Sequence, residues 1–200
     1  MNDILLISVL GVGSYGAKAM NMIMDKMQKN DQDDTFITNK NSNEFVFYAI
    51  DTDSQTLTNS KVQDSLLLSD ALDQESFADQ KLEEKLQQMV GDSDLVILVA
   101  GMGGQTASTL TPAIADRLKA INIPTTAVVF KPFGFEGEKS EQNAEIGISK
   151  LAKLVTTLKV LENNDVTAKA QNQSEQQIFA QVDSEVADFV LSFSEKHFVA

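Results

Sequence analysis

The run Leu95-Val96-Ile97-Leu98-Val99-Ala100 breaks off at Gly101-Met102-Gly103-Gly104, and a helix-compatible segment opens at Gln105-Thr106-Ala107-Ser108. The apolar run is too short for a typical helix and stops abruptly at glycine. The stretch therefore reads as strand, tight turn, helix start. In a parallel α/β sheet that junction lies at the carboxyl edge of the strands, in the crevice where ligands bind. Glycines let the backbone approach a ligand closely, and the free N–H groups and dipole of a helix start favour an anion. A nucleotide phosphate is the expected occupant. The plainer alternative is a glycine-rich βα turn that binds nothing, since tight turns require glycine for their own geometry.

The same grammar opens the chain. Ile4–Leu10 reads as a buried strand and runs into Gly11-Val12-Gly13-Ser14-Tyr15-Gly16, a G-x-G-x-x-G pattern. Ala17, Met20, Ile23, Met24 and Met27 follow at helical spacing. Strand, glycine motif and helix form the dinucleotide-fold context that gives this motif its meaning. Residues 28–44 are polar and read as an exposed loop. A second strand, Val46–Ile50, ends in Asp51-Thr52-Asp53. An acid there suits either the ribose position of a dinucleotide fold or a helix N-cap.

Further along, Leu66–Leu68 reads as a short strand and Ser76–Val90 as an amphipathic helix. The helix after Gly104 is expected to reach about Ile121, with Pro112 distorting its first turn or forcing a new start. Thr125–Phe130 is a buried strand leading into the loop Lys131-Pro132-Phe133-Gly134-Phe135-Glu136-Gly137. Glu141 to about Val155 reads as a helix carrying Ile146, Ile148, Leu151 and Leu154. Leu158–Leu161 is a short strand, and Ile178–Val199 a last helix. Strands alternate with helices and no repeat appears, so a parallel sheet covered on both faces is expected.

Composition removes whole classes of chemistry. The chain has 200 residues, no cysteine and one histidine, His197, expected as an exposed residue of the last helical turn. Disulfides, thiolate metal sites, Ser-His-Asp and Cys-His catalysis and multi-histidine metal sites are excluded. No catalytic residue and no metal ligand is assigned. The net charge of −13 opposes binding to nucleic acid or to an anionic membrane surface. The apolar N-terminal run is too short to span a bilayer and lacks a basic flank, so no membrane insertion and a cytoplasmic location are expected.

With these loops in place, the chain resembles the GTPase domain of the FtsZ/tubulin family. Gly101-Met102-Gly103-Gly104-Gln105-Thr106 is similar to that family's G-M-G-G-G-T-G-T-G, and Lys131–Gly137 to its K-P-F-x-F-E-G. Ala49-Ile50-Asp51-Thr52-Asp53 is the third matching stretch. The resemblance implies a Rossmann-like three-layer α/β/α fold with a mostly parallel sheet, residues 1–200 forming a single nucleotide-binding domain. It places Gly11, Gly13, Ser14, Tyr15, Gly16 and Lys18 in the first phosphate-facing loop, with Asp51 beside it. Gly101, Met102, Gly103, Gly104, Gln105, Thr106, Ala107 and Ser108 make the main phosphate loop. Glu136 and Asn163 match sugar- or base-contacting residues. Phe179 and Asp183 match a pair that stacks on guanine and accepts from its N1–H and amine, a task suited to an acceptor-only carboxylate. From the residues alone, Phe179 reads as plain helix core and Asp183 as a solvated charge.

The sequence also departs from that pattern. Gln105, Ala107 and Thr109 stand where the family has glycine; at positive φ each would cost roughly 1–2 kcal/mol. Ser14, Tyr15 and Ala17 also replace glycines, and Tyr15 has the bulk to fill phosphate space. Lys18 and Asp51 replace asparagines, Ser140 an arginine, and the γ-phosphate-sensing loop between Val62 and Gln74 is shortened. The catalytic loop and second domain that follow the central helix in the family have no counterpart in these 200 residues. The expected ligand is GTP or GDP, with Mg²⁺ only if the nucleotide carries it, and with little or no hydrolysis. The alternative is a pseudo-GTPase module that binds no nucleotide and acts through a protein partner, FtsZ itself being one candidate. An NAD-type dinucleotide site would explain G-x-G-x-x-G with Asp51 or Asp53, but leaves the later loops unexplained.

Overall fold

In the computed structural model, residues 4–32, 43–62, 64–68, 80–162 and 175–194 are described. Strands β1 (Leu6–Val12), β2 (Glu44–Asp51), β3 (Asp64–Leu67), β4 (Leu95–Gly101), β5 (Thr125–Phe130) and β6 (Thr157–Leu161) form one sheet in the order β3-β2-β1-β4-β5-β6. Every neighbouring pair is parallel. Parallel strands need crossover connections, and helices α1 (Gly13–Gln32), α2 (Ser54–Thr58), α3 (Gln80–Val90), α4 (Gln105–Ala120), α5 (Glu138–Leu151) and α6 (Glu175–Leu191) occupy them.

Alternation along the strands feeds two cores. Leu10, Val12, Val96, Leu98 and Val129 pack with Leu86 of α3, Leu110 and Ile114 of α4 and Leu151 of α5. On the other face Ile7, Val9, Ile97, Val99 and Val128 pack with Met20 and Ile23 of α1 and Val182, Val186 and Val190 of α6. This period-two division of strands buried on both sides is why they read as continuous apolar runs. Lys26 of α1 ties the two helices of that second face, its ammonium 2.6 Å from Asp188 and 3.1 Å from the Ser184 hydroxyl.

Several boundaries differ from the sequence reading. β1 covers Leu6–Val12 rather than Ile4–Leu10, because Gly11 and Val12 pair with both β2 and β4 while Ile4 is exposed. α1 runs on to Gln32 through residues expected to begin a loop. α4 passes through Pro112 unbroken; proline cannot donate to the Ser108 carbonyl, and the helix carries that one missing bond. α5 begins at Glu138, and Ile146 is exposed; Ala144, Gly147 and Leu151 face inward instead. The start of the helix expected from Ser76, and His197, lie outside the described residues.

Candidate functional site

The strand order reverses between β1 and β4. From β1 the chain goes outward through β2 to β3; from β4 it goes the other way to β6. The carboxyl ends of β1 and β4 therefore open a crevice, the place where ligands bind in doubly wound folds. Both glycine turns lie there, in contact: a Cβ built on Gly13 would stand 3.2 Å from the Ala107 Cβ.

The two turns use glycine for different reasons. Gly13 and Gly103 have φ of +73° and +121°, a region L-residues avoid. Gly11 and Gly16 are packing glycines: a Cβ on Gly16 would meet the Val99 carbonyl oxygen at 2.5 Å, and one on Gly11 the Gly16 oxygen at 2.4 Å. Their absent side chains let α1 rest directly on the sheet. Gly104 has nothing within 4 Å of a built Cβ. It caps α4 with no side-chain hydrogen bond, so the first turn of a long helix keeps its free N–H groups on the crevice side of the loop.

Gln105, Ala107 and Thr109 carry no backbone strain. All three lie within α4, and among the described residues Asn122 is the one non-glycine with positive φ. The loop is braced from within: the Gly103 N–H donates to the Ser108 hydroxyl at 2.9 Å, and Asn143 of α5 donates to the Gly103 carbonyl at 3.2 Å. Pro132 of the loop after β5 packs on Gly103. Met102 turns into the core, while Gln105 is exposed and Thr106 half-buried.

Asp51 and Asp53 divide the two roles open to an acid after β2. Asp53 is the N-cap of α2, accepting from the Gln55 N–H at 3.0 Å and the Thr56 hydroxyl at 3.1 Å. Asp51 is buried at the strand end, one oxygen accepting from the Thr52 and Asp53 N–H groups. Its other oxygen finds no hydrogen-bond partner among the described residues. Since Ile50 pairs with Val12, Asp51 comes level with Gly13. Ser14 and Lys18 line a cleft of about 170 Å³ that also touches Asp53 and Thr56. Glu136 sits on a short 3-10 turn, Gly134–Glu136, and accepts from the Phe133 N–H at 3.0 Å.

Asp183 of α6 reaches the crevice from the other side. The Tyr15 hydroxyl donates to its Oδ1 at 2.8 Å. The Tyr15 ring stacks on Phe130, centroids 4.6 Å apart, and lies against Gly101, where a Cβ would meet the Tyr15 Cβ at 2.8 Å. Burial pushes the Asp183 carboxyl above the usual range, although the Tyr15 hydrogen bond and the Lys18 charge act in the opposite direction. Burial, then the Asp183 charge, raises the Tyr15 phenol, so it remains a proton donor. Phe179 lies on α6, but its side chain and Asn163 fall outside the described residues. Sequence reasoning missed Phe130, Asn143 and the Tyr15–Asp183 pair. The bulk of Tyr15 was visible; a partner 168 positions away was not.

A doubly wound parallel sheet with two glycine turns at its switch point defines a Rossmann-like α/β domain of the nucleotide-binding type. The family model described as Tubulin/FtsZ family, GTPase domain, matches residues 6–171, and the chain belongs to that family. The cell division protein FtsZ of Haemophilus influenzae is 33% identical over 178 residues, covering 80% of this chain and 42% of that protein. FtsZ 2 of Rhizobium meliloti is 32% identical over 171 residues, covering 80% and 45%. The chain thus spans less than half the length of these relatives. The empty FtsZ dimer of M. jannaschii superposes with a TM-score of 0.78 at 24% identity, covering 100% of this chain and 58% of that one. The GTPγS-bound CetZ2 protofilament of Haloferax volcanii gives 0.74 at 18%, covering 98% and 60%. These likenesses establish the tubulin/FtsZ nucleotide-binding fold.

Proposed function

We propose that this domain binds a guanine nucleotide, GDP or GTP, across the β1–β4 crevice. The observation that carries this reading is the start of α4. An uncapped helix N-terminus opens through Gly104 onto unfilled space, beside the positive-φ turn at Gly13. Free N–H groups there suit phosphate oxygens. Backbone from Gly101 to Ser108 and from Gly11 to Gly16 would cradle the phosphates. Lys18 would supply positive charge, and an Mg²⁺ carried by the nucleotide would separate them from Asp51. Glu136 and Asn163 would take the sugar, and Phe179 and Asp183 the base.

Asp183 gives the reading its test. A guanine presents two donors to that carboxylate; an adenine presents a ring acceptor at the same edge. By calorimetry, Asp183→Ala should weaken GDP at least tenfold, the loss expected for a charge-assisted hydrogen bond, and leave ADP nearly unchanged. Equal loss for both nucleotides would contradict the base assignment.

For residues 1–200 on their own we expect little or no GTP hydrolysis, because the family resemblance puts the catalytic acids beyond the central helix. Appreciable phosphate release by this segment alone would contradict that. The relatives named for cell division make FtsZ a reasonable partner to test, and a cytoplasmic location fits the absence, among the described residues, of any helix long and apolar enough to cross a membrane. A second reading, a pseudo-GTPase module, is favoured by one observation: Tyr15 already holds Asp183. That module would show no nucleotide binding by the same calorimetry.

A further inference from the structure

The first turn of α1 carries a side chain that does what a guanine base would do. Asp183 has two oxygens, and a guanine edge offers two donors, N1–H and the exocyclic amine. The Tyr15 phenol donates to Oδ1 at 2.8 Å, so one of the two oxygens already has a partner where a guanine donor would come. The ring is held from two further sides. It stacks on Phe130, and the missing Cβ of Gly101 leaves the space its own Cβ and ring fill. Tyr15 sits in the first turn of α1, where Gly16 packs directly against the backbone of Gly11 and Val99 in the sheet. The position of the phenol is thus set by backbone packing.

We propose that Tyr15 is a built-in competitor for the base-recognition carboxylate: its phenol holds Asp183, and a guanine base enters only when the Tyr15–Asp183 pair opens. This rests on the guanine reading above and adds its regulation. An occupied carboxylate lowers apparent affinity by the fraction of chains in which the pair is open. The tax falls on guanine nucleotides and spares adenine nucleotides, which make no demand on Asp183. Tyr15 therefore acts as a determinant of both affinity and base selectivity. It acts through Asp183 by holding it, so it is a positioning residue.

Tyr15→Phe removes the donor and keeps the ring, its stacking on Phe130 and its place beside Gly101. The experiment is calorimetric titration of the native chain and the Tyr15→Phe chain with GDP and with ADP. The expected result is GDP affinity about tenfold higher in Tyr15→Phe, the loss of one charge-assisted hydrogen bond from the closed state, with ADP unchanged. GDP binding of equal strength in the two chains overturns the proposal while leaving the guanine reading intact. A gain seen in Tyr15→Gly but not in Tyr15→Phe also overturns it, since the ring and not the hydroxyl would then be the obstacle. Binding by neither chain removes the guanine reading and this proposal together.

A second readout does not depend on any Tyr15 variant folding. The chain has two tyrosines, so a sample labelled at the tyrosine ring ζ-carbon gives two resonances, and Tyr48→Phe assigns them. Saturating GDP should move the Tyr15 resonance as its phenol leaves the carboxylate, while Tyr48, bonded to the Met89 carbonyl at 2.7 Å, stays in place. Saturation with GDP and no movement of the Tyr15 resonance contradicts the proposal.

Discussion

Two carboxylates, Asp51 buried and Asp183 half-buried, carry most of what is particular to this chain at the level of single residues. Asp183 is raised by burial and lowered by the Tyr15 hydroxyl and by Lys18. A raised acid binds its proton more tightly when folded, so its contribution favours folding at low pH and is lost as pH climbs from the unfolded to the folded value. Tyr15→Phe removes one lowering influence. The Asp183 carboxyl should then titrate higher still, by carbon-detected NMR, and that loss of stability should extend to higher pH. A carboxyl that titrates lower in Tyr15→Phe would mean the hydrogen bond does not stabilise the charged form. Asp51 is the converse case, with one oxygen fully engaged and the other unpaired beside the first glycine turn. Asp51→Asn keeps the acceptor that serves Thr52 and Asp53 and removes a negative charge. If phosphates lie alongside, GDP binding measured without Mg²⁺ should tighten about fivefold, the equivalent of about 1 kcal/mol of relieved repulsion. Unchanged affinity would place the phosphates elsewhere.

Among the elements, the turns shape both the packing and the crevice proposed for the nucleotide, and their glycines separate the two functions. Gly16 has the backbone of Val99 and Gly11 against its absent Cβ, whereas Gly104 has open space. Gly16→Ala should destabilise by about 3 kcal/mol, because helix and sheet must part. Gly104→Ala, at an ordinary φ of −65°, should lower stability by no more than about 1 kcal/mol, the cost of alanine at an N-cap, and weaken GDP binding as well. If the two substitutions cost equally in denaturant titrations, the packing account of Gly16 is wrong. The element pattern was largely legible in the sequence, because strands buried on both faces show as unbroken apolar runs closed by glycine. Thr125–Phe130 has the same limits in the sequence and in the structure. β1 was read too early because Gly11, taken as the turn, is a pairing residue with a helix pressed against it. Ile146 stood out among the apolar residues of its helix, yet it is exposed and Gly147 faces inward; the close approach of α5 to the Ser108 backbone, which needs a missing Cβ, cannot be seen in hydropathy.

For the molecule as a whole, one six-stranded parallel sheet with an apolar core on each face explains the family membership and places the crevice. The positions of the two glycine turns followed from strand–glycine–helix grammar alone. The base side did not. Asp183 approaches Tyr15 only after the sheet and two helices are assembled, and nothing local in either segment announces the contact. Asn143 and Phe130 were missed for the same reason, since each acts on a loop distant in sequence. The central claim is that a guanine nucleotide stabilises this whole fold by occupying that crevice. Thermal unfolding of the chain with GDP, GTP, ADP and NAD, each with Mg²⁺, tests it directly. A ligand at a hundred times its dissociation constant adds about 2.7 kcal/mol, which for a domain of this size raises the melting temperature by roughly 5–10 °C. The account predicts that rise with GDP or GTP and none with ADP or NAD; an equal rise with ADP, or no rise with either guanine nucleotide, would contradict it.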